Sequence, residues 1–217
     1  MSENELIVIR RLQSGGLKRE ELIELYHQNQ DRYRVLLHLA QHPSFPEAFA
    51  LGIISKLFPG DLVRVIKNLK TNPFVRKRAE IEFSIRFPKL ALGEKKALLL
   101  QAPNSLLLYF VNERDPQLIA SILRNPQCNE DVILRFINRS QERSQFYRVL
   151  DDTDWHMNPA VALAITHDPE APIKIILKVI PFVGISELRR LAADESLHEI
   201  ARSQVRRYLE NRRGGSG

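Results

Sequence analysis

The chain has 217 residues, 44% of them hydrophobic, with 32 basic and 26 acidic side chains and a net charge of +6. That supplies enough apolar material for one elongated domain or two small ones and excludes global disorder. Cys128 is the only cysteine, which excludes an internal disulfide and any cysteine-rich zinc or iron–sulfur centre built from this chain alone, and makes a reducing cytosol the expected compartment.

Glycine is sparse, at nine residues, and aromatics make up 7%. With dense Leu, Ile, Arg, Lys and Glu, this favours helix over a β-sandwich. No run approaches the roughly 18 apolar residues of a membrane span. The first residues, MSENELIVIRRLQSGG, lack the charge, long apolar run and small-residue cleavage site of a secretory leader.

In chain order, Glu3–Gln13 places Leu6, Ile7, Ile9 and Leu12 at helical spacing and stops at Ser14-Gly15-Gly16. Lys18–His27 and Arg32–Gln41 follow as amphipathic helices, with Asp31 able to cap the second. The helix before Pro43 must end there, because proline disfavours α geometry in the residue preceding it. Ser44 then reads as an N-cap, with Glu47 completing an S-x-x-E capping box for Glu47–Leu57. After Pro59-Gly60-Asp61 comes Leu62–Leu69.

The same phrase of break, cap and apolar helix returns at Asn72-Pro73, Ala102-Pro103, Asn125-Pro126, Asp168-Pro169 and Asp194-Glu195-Ser196. The spacing predicts helices over Phe74–Phe87, Ser105–Asn112, Glu130–Asn138, Pro172–Ile180 and Leu197–Tyr208. Pro43, Pro73 and Pro103 lie 30 residues apart, and Pro126 follows after 23. The longer jump to Pro169 implies an insertion or degenerate unit near Ser140–Met157. One break, cap and helix every 23–30 residues is the pattern of a helical solenoid, in which each unit buries its apolar face only against its neighbours. Glu80–Phe87 (EIEFSIRF) competes with this reading: Ile81, Phe83, Ile85 and Phe87 alternate at strand period. Helix is expected, because a lone strand has nothing to pair with here.

The expected fold is therefore all-α: about 13–15 short helices in a curved, right-handed α-solenoid. Residues 1–41 form an atypical N-terminal cap, 42–193 the repeats and 194–213 a C-terminal capping helix, all in one domain, with 214–217 (GGSG) a linker. His42-Pro43, Asn72-Pro73, Asn125-Pro126 and Asp168-Pro169, each followed by an apolar helix, resemble the HEAT-like and leucine-rich-repeat-variant bacterial α-solenoids. The resemblance covers about Leu36 to Tyr208 and concerns geometry. Some members of that class carry a cysteine-ligated iron–sulfur cluster, which Cys128 alone does not match. Some act on DNA as base-removal enzymes, but no catalytic motif of that kind appears here.

The charge is uneven. Asp61–Lys96 holds ten basic and four acidic residues, which is the whole excess. Arg64, Lys67, Lys70, Arg76, Lys77, Arg78, Lys95 and Lys96, with Arg202 and Arg206 near the C-terminus, are the residues expected to meet a phosphate backbone or an acidic partner. Phe74, Phe83 and Phe87 read as core. The run Asp151-Asp152-Thr153-Asp154-Trp155-His156 has donors for a cation but lacks the glycine and terminal glutamate of a calcium loop, so a capping loop with a docked Trp155 is expected. Cys128 lies by a helix start, which can lower a thiol pKa, but a semi-buried structural residue fits better. The histidines are scattered, and no catalytic, cofactor or metal residue is assigned. The expected function is non-enzymatic: a scaffold binding a protein or peptide, with nucleic-acid binding through 64–96 as the alternative and a DNA-repair enzyme as a remote third.

Overall fold

The computed structural model describes residues 3–139, 143–195 and 197–214. Ser140, Ser196 and the last three linker residues lie outside them. The described residues contain fifteen α-helices, four short 3-10 turns and no strand, so the chain is all-helical. It divides into two compact units, Met1–Pro103 and Asn104–Gly217.

The first unit holds α1 (Glu3–Ser14), α2 (Arg19–Gln28), α3 (Tyr33–Gln41), α4 (Glu47–Ile54), α5 (Pro59–Lys67), α6 (Pro73–Arg86) and α7 (Leu92–Gln101). Gly15 and Gly16 both take positive φ, 76° and 79°, which breaks the chain sharply after α1. α3 packs on α4 and α5, α4 on α6, and α5 on α6 and α7. The second unit holds α8 (Asn104–Leu107), α9 (Pro116–Leu123), α10 (Glu130–Arg139), α11 (Ser144–Asp151), α12 (Pro159–His167), α13 (Ile173–Val179), α14 (Ile185–Ala193) and α15 (Glu199–Gly214). Here α9 packs on α11, α10 on α12, α12 on α13, and α15 on α13 and α14. The segment expected to be degenerate therefore contains an ordinary helix, α11. Its core is aromatic: the rings of Phe136 and Phe146 stack at 4.9 Å, beside the fully buried Tyr147.

One corner recurs six times among the described residues, at Asn29, His42, Asn68, Asn125, Asp168 and Asp194. In each, the residue's N–H closes the preceding helix, and its carbonyl accepts the N–H three residues on, from Arg32, Phe45, Thr71, Cys128, Ala171 or Leu197, at 2.9–3.3 Å. At four of them the side chain also accepts the N–H two residues on: His42 Nδ1 from Ser44, Asn68 from Lys70, Asn125 from Gln127 and Asp168 from Glu170. A small acceptor is needed because the last turn of one helix and the first of the next leave backbone groups without partners. Phe45, Thr71, Ala171 and Leu197 are buried beneath their corners.

This geometry separates two kinds of X-Pro that look alike in the sequence. In His42-Pro43, Asn125-Pro126 and Asp168-Pro169 the proline follows a helix end and prevents its continuation. In Asn72-Pro73, Asp115-Pro116 and Asn158-Pro159 the proline is the first helical residue, and the preceding side chain accepts backbone N–H groups at 2.8–3.3 Å. The corner before α6 is thus centred on Asn68, not on Asn72, and the even 30-residue spacing read from the prolines mixes both kinds. The Ser44 cap is also corrected: Pro46 is the N-cap of α4, and Ser44 donates its own N–H to His42. Asp31 does not cap α3, whose N-cap is Arg32.

Candidate interaction surface

The strand-like stretch lies within α6, in the first unit, and its alternation has a helical cause. At 100° per residue, Val75, Ala79, Phe83 and Phe87 fall on one side and are buried. Phe83 and Phe87 meet with ring centroids 5.5 Å apart. Phe74, Arg78, Ile81 and Ile85 fall on the opposite side, at i, i+4, i+7 and i+11. Phe74 is 36% exposed, Ile81 37% and Ile85 58%. The helix is therefore apolar on two faces, and only one of them has a covering layer. Phe74, expected in the core, lies at the surface with the Arg78 guanidinium 5.2 Å over its ring. Single exposed apolar residues are ordinary; three in register along one helix form a face. The sequence signal for this face was present in the alternation itself, which offers both i,i+4 pairs at once.

The basic residues surround this face unequally. Lys67 ends α5 and Lys70 lies in the following corner; both are exposed, with no ion pair among the described residues. Arg64 pairs with Asp61 at 3.0 Å and Lys77 with Glu80 at 3.1 Å. Arg76 turns to the core side, where its buried Nε finds no acceptor. Arg86, at the far end of α6, is committed: it pairs with Glu82 at 2.6 Å and donates to the carbonyls of Ser55 and Leu57. Lys95 lies 5.6 Å over the Phe87 ring, and Lys96 is half-buried. Charge thus concentrates at the Phe74 end of the stripe.

Arg202 and Arg206 belong to the second unit. Arg206 donates twice to the Ala192 carbonyl, at 3.0 and 3.1 Å, and Arg202 reaches that of Asp194 at 3.5 Å. Both satisfy carbonyls at the C-terminal end of α14, a structural use of a cation.

The acidic run 151–156 is occupied by structural contacts. Asp151 accepts Lys174 and Lys178, each at 2.7 Å, and these hydrogen bonds hold its carboxyl down at a pKa of about 2. Thr153 caps the 3-10 turn Asp154–Met157, and buried His156 contacts the Thr153 carbonyl at 2.6 Å. Trp155 donates Nε1–H to the Leu123 carbonyl at 3.0 Å. With Leu123, Arg124, Asp152 and Asn158 it lines a shallow cleft. Burial pushes the Cys128 thiol up to about 12, the opposite of an activated nucleophile.

The fold and this face together define an all-helical protein of packed helical hairpins with an uncovered apolar face on α6. No family model, no curated protein and no solved structure matches the chain.

Proposed function

We propose that the chain is a non-enzymatic interaction module that binds a protein or peptide on the outer face of α6. The observation that carries this is the in-register exposure of Phe74, Ile81 and Ile85 beside the basic corner. Within each unit, hairpins joined by the same corner pack on their neighbours, which favours an α-solenoid of HEAT-like or leucine-rich-repeat-variant type. Solenoids present such helix faces to partners. With a single, half-buried cysteine, the cytosol is the compartment that fits. The test is a photo-crosslinking amino acid at Ile81, with one at the exposed, polar Arg189 as control, in cells of the native host. A discrete protein adduct at position 81 alone is expected. Equal labelling at both positions overturns the proposal.

The second reading, nucleic-acid binding through residues 64–96, is favoured by Lys67 and Lys70, which stand without ion pairs. It requires affinity for duplex or single-stranded DNA or RNA that falls steeply with salt and disappears in Lys67→Glu/Lys70→Glu. No binding at about 50 mM salt removes it.

A further inference from the structure

We infer that the segment docking on α6 is a short amphipathic helix from a partner protein. It carries carboxylates at one end, seated at the Phe74 end of α6, and aliphatic side chains packed on Ile81 and Ile85. This rests on the proposed function and specifies the partner's chemistry.

Length is the first argument. From Phe74 to Ile85 the stripe extends over 11 residues, or about 16 Å at the helical rise. It is one helix wide, so it fits three turns of an apposed helix with apolar anchors at i, i+4 and i+7. Charge is the second. At the corner end, Lys67, Lys70, Lys77 and Arg78 stand against Glu80. At the other end Arg86 is consumed by Glu82 and two carbonyls, leaving exposed Lys89 and Lys95 over the Phe87 ring, a weaker positive field than at the corner. A partner matching this field is acidic at one end and apolar along the rest.

A second copy of the chain fits poorly, because a two-fold contact through α6 brings the same cations together. Nucleic acid leaves Ile81 and Ile85 without a complement, since aliphatic side chains neither stack on bases nor pair with phosphate.

The experiment uses the full chain and fluorescein-labelled peptides of about fourteen residues, slightly longer than the stripe. One carries leucines at i, i+4 and i+7 with glutamates at one end, prepared with the acidic end at either terminus. A second replaces glutamate by lysine, and a third replaces leucine by serine. A single-stranded oligonucleotide and phosphatidylserine vesicles complete the set. One acidic, leucine-bearing peptide is expected to bind at least about tenfold more tightly than the others, the size of a rim-charge effect of roughly one decade. Ile81→Asp/Ile85→Asp abolishes binding with the circular dichroism unchanged. Lys67→Glu/Lys70→Glu weakens the acidic peptide and strengthens the basic one.

If acidic and basic peptides bind equally and both depend on Ile81 and Ile85, the acidic inference is overturned while the α6 face stands. If only the oligonucleotide or the vesicles bind, the peptide inference is overturned in favour of that class. If no probe binds, the inference is overturned, and the crosslink at position 81 separately decides the proposed function.

Discussion

Phe83 and Ile85 lie two residues apart on α6, and the structure gives them opposite roles. Phe83 is fully buried with its ring against Phe87. Truncation to alanine removes a buried ring and leaves a cavity, which costs about 3–5 kcal/mol. Ile85 is 58% exposed. Complete burial of an isoleucine contributes roughly 1.5–3 kcal/mol, so its remaining contact amounts to about 1 kcal/mol or less. Isoleucine and serine have similar helix propensities, so Ile85→Ser adds little backbone cost. The expected gap between Phe83→Ala and Ile85→Ser is therefore about 3 kcal/mol, more than a hundredfold in the unfolding equilibrium. Urea unfolding followed by circular dichroism at 222 nm measures it. Fluorescence does not serve, because the only tryptophan, Trp155, is in the other unit. Equal costs for the two substitutions refute the two-faced helix, since they place alternate residues on one side, as in a strand.

Three further outcomes follow from the second unit and the corners. Asp168 is almost fully buried and accepts from Arg143 at 2.5 Å, from the Tyr147 hydroxyl and from the Glu170 N–H at 3.0 Å. Asp168→Ala strands those donors and should cost about 3–5 kcal/mol by Trp155 fluorescence in urea. Asp168→Asn keeps an acceptor and should cost clearly less. At His42, burial depresses the pKa and Nδ1 must be unprotonated to accept the Ser44 N–H. Its contribution is complete above the ordinary histidine pKa near 6.5 and falls away as pH drops below it. His42→Asn should therefore reduce the stability lost between pH 7 and 5, with half-buried His38, its pKa likewise lowered by burial, accounting for a further part. Asp151 is lowered by its lysine partners, so its contribution is present above about pH 4 and lost as pH falls toward 2. Lys178, 37% exposed, also donates to the Asp151 carbonyl, whereas Lys174 is 78% exposed. In an NMR titration, Lys178→Met should therefore raise the Asp151 pKa more than Lys174→Met, and no difference between them contradicts the assignment.

The all-helical fold was legible in the sequence because periodicity, composition and helix stops are local properties. The apolar spacing in Leu6–Leu12, the glycine pair at 15 and 16, and the helix stop before Pro43 act within a turn or two of chain. The recurrence of the corner was legible too, through its polar residue and following break. Its register was not. Asn72-Pro73 and Asn125-Pro126 are the same dipeptide, and only the partners of their backbone groups show that one opens a helix while the other closes one. The basic run was equally visible as composition. The tertiary structure decided which cations are spent, because Arg86, Lys95, Arg202 and Arg206 are engaged by carbonyls or a ring eight or more residues away. It also decided the fate of Ile81, Phe83, Ile85 and Phe87. Periodicity offers two apolar faces on α6 without ranking them, since either could meet a neighbouring helix. Packing against α4 and α5 covers one and leaves the other to solvent, and a residue's exposure is a property of its neighbours, which no local pattern specifies.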